Sequence, residues 1–158
     1  MLMFISRDLD VFQSEFDLSE VSSELARDFE NLVLADITQC KINDVEYLRW
    51  VMVAVEDESP IGYCYFRHHI KKSVTYIGQI YVDKEARGKA IARKLLNMSL
   101  DFSFSLLPNQ VEIHFTTKEL NASKLVDLFF YRAMKQKRND KFFDIKATAF
   151  SSKLELIT

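Results

Sequence analysis

Three glycines, two prolines and two cysteines are all that this 158-residue chain holds of the residues that punctuate or staple a fold. Glycine and proline mark turns and linkers, so no stretch offers a place to cut the sequence. Residues 1–158 are expected to form a single domain, within the usual size of about 100–200 residues. Cys40 and Cys64 show neither a CxxC nor a Cys/His spacing, which excludes a disulfide framework and a zinc knuckle and leaves both as small apolar residues. No metal is expected. An excess of one charge is also missing: 21 basic against 23 acidic residues give a net charge of −2. That balance makes no field to gather nucleic-acid phosphates, and no nucleic-acid partner is expected. Apolar runs fall well short of the roughly 20 residues a membrane span needs. The start, "MLMFISRDLD", lacks a basic opening and meets acidic residues too soon for a secretory signal. The expectation is a cytoplasmic protein without membrane contact.

What the chain does have is the balance of a soluble globular domain, with 48% hydrophobic, 13% aromatic and 28% charged residues. Residues 1–7 read as a strand. The following "DLSEVSSELARDFENLVL" reads as one or two helices, with Asp17 as N-cap and Glu20 three residues on. From Glu46 the texture turns to β-branched and aromatic residues: "EYLRWVMVAVED", a turn at "ESP", "IGYCYFRHH", and "VTYIGQIYV" predict three strands in an antiparallel meander. Val51–Val55 is apolar throughout, as in a buried strand. Ala90–Phe104 carries Ile91, Leu95, Met98 and Phe102 on one helical stripe. "NQVEIHFTT" predicts a strand, Asn121–Met134 a helix with Leu125, Val126, Phe129, Phe130 and Ala133 apolar, and "KFFDIKATAF" and "SKLELIT" a closing pair of strands. The order describes an α/β (α+β) domain, a mixed sheet flanked by helices. The unit from Thr75 to Thr117 is expected to be a right-handed parallel crossover. Two charge-biased stretches, the acidic first third and "KQKRNDK" at Lys135–Lys141, read as solvated faces.

One stretch stands apart. In "YVDKEARGKAIARKLL", residues 81–96, an apolar strand end meets an Arg-Gly-Lys turn and then a run of helix formers. The first amides of a helix lack intrahelical partners. With the helix dipole behind them and Arg87 and Lys89 beside them, they make a site for an anion such as a pyrophosphate. Gly88 permits either a close approach of a ligand or a left-handed backbone. It is neither a P-loop nor GxGxxG, and on these residues alone a plain solvated turn explains the stretch equally well.

The same stretch resembles the acyl-CoA loop of the GNAT superfamily of N-acyltransferases, whose pattern is Gln/Arg-x-x-Gly-x-Gly/Ala before a helix. Glu85, Gly88 and Ala90 fill the three positions, Glu85 standing where the pattern has Gln or Arg. "VAVEDESPIGYCYF" and "TYIGQIYVD" are similar to the strands that precede the loop in that family, so the resemblance spans residues 46–134. It implies a mixed, mostly antiparallel central sheet of about seven strands with about four helices and a splay between the fourth and fifth strands. It further implies that the backbone of Ile80, Tyr81 and Val82 meets the pantetheine arm, that amides from Arg87 through Gly88, Lys89, Ala90, Ile91 and Ala92 hold the pyrophosphate, and that Asn121 and Lys124 contact the cofactor arm. The activity implied is acetyl transfer from acetyl-CoA, or another acyl-CoA, to a small-molecule or peptide amine. A homodimer through the C-terminal strands is compatible with it.

An amine must attack neutral, yet a lysine-like amine has a pKa near 10.4, so deprotonation at neutral pH costs roughly 4–5 kcal/mol. A base or water chain is needed, and the leaving thiolate needs an acid. The resemblance assigns the acid to a Tyr on the helix after Asn121, which is Tyr131, with Phe130 as the other residue able to fill that slot. It assigns the oxyanion donor to an amide near Val82. For the base, Glu56, Glu112, His68, His69 and His114 all lie on or near predicted strands, and none is singled out. Tyr63, Tyr65, Tyr76 and Tyr81 are candidates for an acceptor pocket or for core. Two other readings stay open: a CoA-binding sensor or scaffold without turnover, and an interaction domain without CoA.

Overall fold

The computed structural model describes residues 1–17, 19–42, 46–116, 122–138, 144–150 and 156–157. In chain order these form β1 (Leu2–Asp8), α1 (Leu9–Glu15), α2 (Ser23–Ile42), β2 (Tyr47–Glu56), β3 (Ser59–His69) and β4 (Val74–Val82). A short 3-10 turn (Lys84–Ala86) then leads to α3 (Ile91–Ser105), β5 (Gln110–Thr116), α4 (Ala122–Lys137), β6 (Asp144–Phe150) and β7 (Leu156–Ile157). The sheet runs in the order β1-β2-β3-β4-β5-β6-β7. Pairing is antiparallel from β1 to β4 and again between β6 and β7. It is parallel for β4/β5 and β5/β6, the two places where α3 and α4 carry the chain back across a face. Among the described residues no helix is long and apolar enough to cross a membrane.

Local chemistry fixes most boundaries. The Asp8 carboxylate ends β1 and caps α1, accepting from the amides of Asp10 at 2.9 Å and Val11 at 3.3 Å. The cap of α2 is Ser22, whose hydroxyl accepts from Leu25 N at 3.1 Å, and not Asp17 as the sequence suggests. Asp17 instead closes a local turn onto the amide and hydroxyl of Ser19, a competing use open to any Asx side chain. The β2–β3 hairpin turns at Asp57 and Glu58, with φ of 51° and 68°, earlier than the "ESP" that the sequence suggests. Ser59 and Pro60 already pair with Glu56 and Val55.

Alternation along the strands sends side chains into two cores, one on each face of the sheet. Beneath α1 and α2 lie Val51, Val53, Tyr63, Tyr65 and Tyr81 with Phe12, Leu25 and Phe29, where Phe29 meets Phe12 and Tyr63 edge-on at 5.2 and 5.6 Å. Beneath α3 and α4 lie Met52, Ala54, Phe66, Ile77 and Val82 with Ile91, Leu95, Leu96, Leu100, Leu125 and Phe129. Each such side chain, fully buried, contributes about 1.5–3 kcal/mol. The buried face of α3 includes Ser99 and Ser103, small residues that let the helix approach the sheet. Met98 and Phe102, expected on the central stripe, flank it half-buried.

Two irregularities break the middle of the sheet. The β4/β5 ladder stops at Gly78↔His114, so Gln79–Val82 continue along β3 with no partner in β5. Just at that point β4 carries a bulge: Cys64 pairs with Ile80 and Tyr65 with Gly78, leaving Gln79 as the extra residue, at φ 62°.

Candidate functional site

Where β4 leaves β5, a cleft of about 720 Å³ opens between the end of β4, the loop into α3, the first turn of α3 and one face of α4. Asp83 N donates to Ile61 O at 2.8 Å. In an antiparallel ladder hydrogen-bonded and non-hydrogen-bonded pairs alternate, so Tyr81 is the next residue whose N–H and C=O face β3. Ile80 and Val82 therefore turn their main-chain groups away from β3, toward the open side. Both line the cleft. Tyr81 does not, which corrects its assignment as a pantetheine contact: its backbone faces β3 and its side chain packs into the core under α2.

The loop closes tightly before the helix. Ala86 N and Arg87 N donate to Asp83 O and Lys84 O, at 2.9 and 3.4 Å, so the Arg87 amide expected among the pyrophosphate donors already serves the 3-10 turn. Gly88 follows at φ 89° with nothing within 4 Å of where a Cβ would stand. Its need is conformational rather than spatial. Ala90, at φ 60° and ψ 23°, is the N-cap of α3 and makes no side-chain capping bond. The first turn, Ile91 to Arg93, thus presents amides without intrahelical partners beside the guanidiniums of Arg87 and Arg93, all lining the cleft. Lys89 is exposed and does not line it, because the left-handed residues on either side of it turn it outward.

From α4 the cleft receives Lys124, Leu125, Asp127, Leu128 and Tyr131. Positions 124, 127, 128 and 131 fall on one helical face. That spacing separates Tyr131 from Phe130, which stands against Phe129 at 5.4 Å. Tyr131 is 67% exposed and open to a ligand. Asn121 lies outside the described residues. The sequence reading missed Arg93 and Asp127, both of which line the cleft. Counting three residues from Lys124, and two from Ile91, finds them.

Of the candidate bases, Glu56, His68, His69 and Glu112 do not line the cleft. His68 Nδ1 is 2.9 Å from Thr75 Oγ1, and His69 packs edge-on against Tyr47 and accepts from Lys72 N, both at the β3–β4 hairpin, the far end of the strands from the cleft. Glu112 accepts from Gln110 Nε2 at 2.7 Å on β5, and Glu56 sits in the ladder between Leu2 and Ser59. The His114 side chain is outside the described set.

On the opposite face of β4 a polar group is built between α2 and the strands. Tyr63 donates to Asp28 Oδ2 at 2.7 Å, and Gln79 Nε2 donates to Asp28 O at 3.0 Å and to its carboxylate oxygens at 3.2 Å each. Tyr81 hydroxyl is 3.1 Å from Asp83 Oδ1, which also accepts from Ser22. Burial, then the neighbouring carboxylates, push the Tyr63 and Tyr81 phenols up from their usual value, so both remain neutral donors.

Residues 11–126 match the sequence profile of the acetyltransferase (GNAT) family. Among solved structures the chain is similar to a ribosomal-protein-alanine N-acetyltransferase from Brucella melitensis biovar Abortus 2308, at 15% identity over 80% of this chain and 89% of that one, with a TM-score of 0.47. It is also similar to the aminoglycoside acetyltransferase meta-AAC0020 from an uncultured soil metagenomic sample, at 17% identity over 85% and 87% with a TM-score of 0.46. A third is the GNAT family protein SP0256 from Streptococcus pneumoniae TIGR4, at 14% identity over 85% and 86% with a TM-score of 0.44. No curated protein matches the sequence.

Proposed function

Because the chain belongs to the acetyltransferase (GNAT) family, we propose that it is an acyl-CoA-dependent N-acyltransferase, moving acetyl from acetyl-CoA to a primary amine by direct attack in a ternary complex. The observation that carries this reading is the meeting, in one cleft, of the open β4 edge at Ile80 and Val82, the uncapped start of α3 and the Lys124–Tyr131 face of α4.

The residues fit the co-substrate. Free amides at a helix start with Arg87, Arg93 and Lys124 around them suit a pyrophosphate. A strand edge that turns the main-chain groups of Ile80 and the N–H of Val82 outward, the Val82 carbonyl being taken by Arg87, suits an amide-bearing arm that adds like a strand. When bound, the thioester supplies an activated acyl group. The chain's part is to hold it and to manage protons. Val82 N–H is a donor for the oxyanion, and Tyr131 gives its hydroxyl proton to the leaving sulfur. The acceptor is a small-molecule or peptide amine that must arrive or become neutral before attack.

The test is release of free thiol from acetyl-CoA across a panel of primary amines, alongside thermal melting with CoA. A ligand at about 100 times its Kd adds about 2.7 kcal/mol of apparent stability. Stabilisation with amine-dependent thiol release supports the reading. Stabilisation without release on any amine leaves a CoA-binding module, and no stabilisation removes the CoA site itself.

A further inference from the structure

Gln79 is a side-chain-bearing residue held at φ 62°, in the left-handed region that a Cβ disfavours. Such a residue persists only where its surroundings over-determine it. Here the surroundings are explicit. Its amide nitrogen donates to Asp28 O and lies within 3.2 Å of both Asp28 carboxylate oxygens and 3.3 Å of Tyr63 Oη. Asp28 is fixed in turn by the Tyr63 hydroxyl at 2.7 Å, and Tyr63 is almost wholly buried, with Phe29 edge-on to its ring. Gln79 is also the bulge residue, directly after the last β4/β5 pair, Gly78↔His114. The point where β4 parts from β5 is therefore the point that α2 grips.

We propose that Asp28 is a positioning residue: by clamping the Gln79 side chain from the far face of the sheet, it holds the left-handed bulge that turns Ile80 and Val82 into the cleft. This rests on the reading of the cleft as an acyl-CoA site. Asp28 itself does not line that cleft. It acts through Gln79, and α2 thereby takes part in setting the cleft's width. Were the cluster only a way to satisfy the buried Tyr63 hydroxyl, the bulge would hold without Gln79.

Two substitutions separate these accounts while leaving the Tyr63–Asp28 bond in place. Gln79→Gly and Gln79→Ala both delete the clamp, but only glycine tolerates the left-handed backbone unaided. Acyl-CoA affinity is measured by calorimetry, and hydrogen exchange of the Tyr81 and Asp83 amides, which face β3, by mass spectrometry or NMR. Gln79→Gly is expected to stay within about twofold of wild type. Gln79→Ala, keeping the bulge about a tenth of the time, is expected to bind about tenfold more weakly and to exchange faster at those amides. Equal affinity and equal exchange in the two variants would overturn the clamp. Should wild type bind no acyl-CoA, the reading of the cleft fails separately, and the exchange comparison still decides: faster exchange in alanine than in glycine supports the clamp, and equal exchange overturns it.

Discussion

Arg87 Nε donates to the carbonyl oxygen of Val82 at 2.9 Å, tying the loop back to the very residue whose main chain faces the cleft. The carbonyl that β5 would have bonded is thereby satisfied by a side chain, and the guanidinium is held beside the first turn of α3. Arg87 is both a tie for the loop and a cation in the cleft. We predict that Arg87→Ala weakens acyl-CoA binding about tenfold or more, the scale of a lost hydrogen bond to a charged group. The loss is expected to shrink as salt is raised, since screening weakens the same interaction in wild type. Calorimetric titration at low and high salt checks it. A salt-independent loss would mean that Arg87 matters only as the tie.

The loop holds two left-handed residues, only one of them glycine, and this gives two substitutions of opposite sign. Gly88→Ala forces a Cβ into φ 89° although the space around it is empty, and is expected to cost about 1 kcal/mol. Ala90→Gly relieves φ 60° and is expected to stabilise by a few tenths to about 1 kcal/mol, less what glycine adds to the freedom of the unfolded chain. Denaturant midpoints of the two variants measure this directly. Shifts of the same sign would show that one of the two backbones is not held as described.

Much of the fold and of the cleft is legible in the sequence, and the failures have definite causes. The position of the loop, both flanking elements and the uninterrupted run Val51–Val55 follow from turn chemistry and period, whereas the loop as an acyl-CoA site rests on its resemblance to the GNAT pattern, since its residues alone fit a plain turn equally well. The α2 cap is a choice between two good caps, Asp17 and Ser22, which only the packing of Leu25 and Phe29 decides. Ser99 and Ser103 look like surface residues on α3 because they are polar, although close helix–sheet contact asks for small residues. The removal of Tyr81 from the cleft turns on the bulge at Gln79. One inserted residue inverts the facing of everything after it in β4, and no local composition announces it. Gln79 itself carries no signal in the sequence because its partner, Asp28, lies 51 residues away.

Cys64 is wholly buried in the core under α3, and burial pushes its thiol up to about 12. The thiolate is the reactive form. At pH 8 an alkylating reagent is therefore expected to leave Cys64 unmodified in the native protein and to modify it completely once the chain is unfolded in denaturant. Peptide mapping isolates Cys64 from Cys40. Fast native labelling of Cys64 would show that β3 and α3 open readily.

His68 lies buried beside Thr75, and burial followed by the neighbouring His69 lowers its pKa from 6.5. The folded state thus favours the neutral ring, while the unfolded chain takes up the proton more readily. Stability from this source is fully present above about pH 6.5 and is lost as the pH falls through the lowered folded value. We predict that the melting temperature drops between pH 7.5 and 5.5, and that His68→Asn, which can still hydrogen-bond Thr75, drops less over the same range. Parallel slopes in the two proteins would assign the acid sensitivity to other groups.

Tyr131 shares the α4 face of Lys124 and Leu128 and is exposed to the cleft, where its hydroxyl stands in solvent rather than in the core. Two roles remain for it, proton donor or wall. Tyr131→Phe separates them, since the ring and its contacts stay and only the hydroxyl goes. If the hydroxyl protonates the leaving sulfur, kcat falls by about 10²–10⁴-fold, while acyl-CoA affinity and the melting temperature stay within error. A chemically better leaving group narrows the gap, because a thiolate of lower basicity needs less help to depart. If the ring is merely wall, Tyr131→Phe turns over as wild type does, and Tyr131→Ala weakens acyl-CoA binding instead. Steady-state kinetics on both variants, with affinity measured separately, distinguishes the two outcomes, and unchanged turnover in Tyr131→Phe would remove the Tyr131 hydroxyl from the proton transfer.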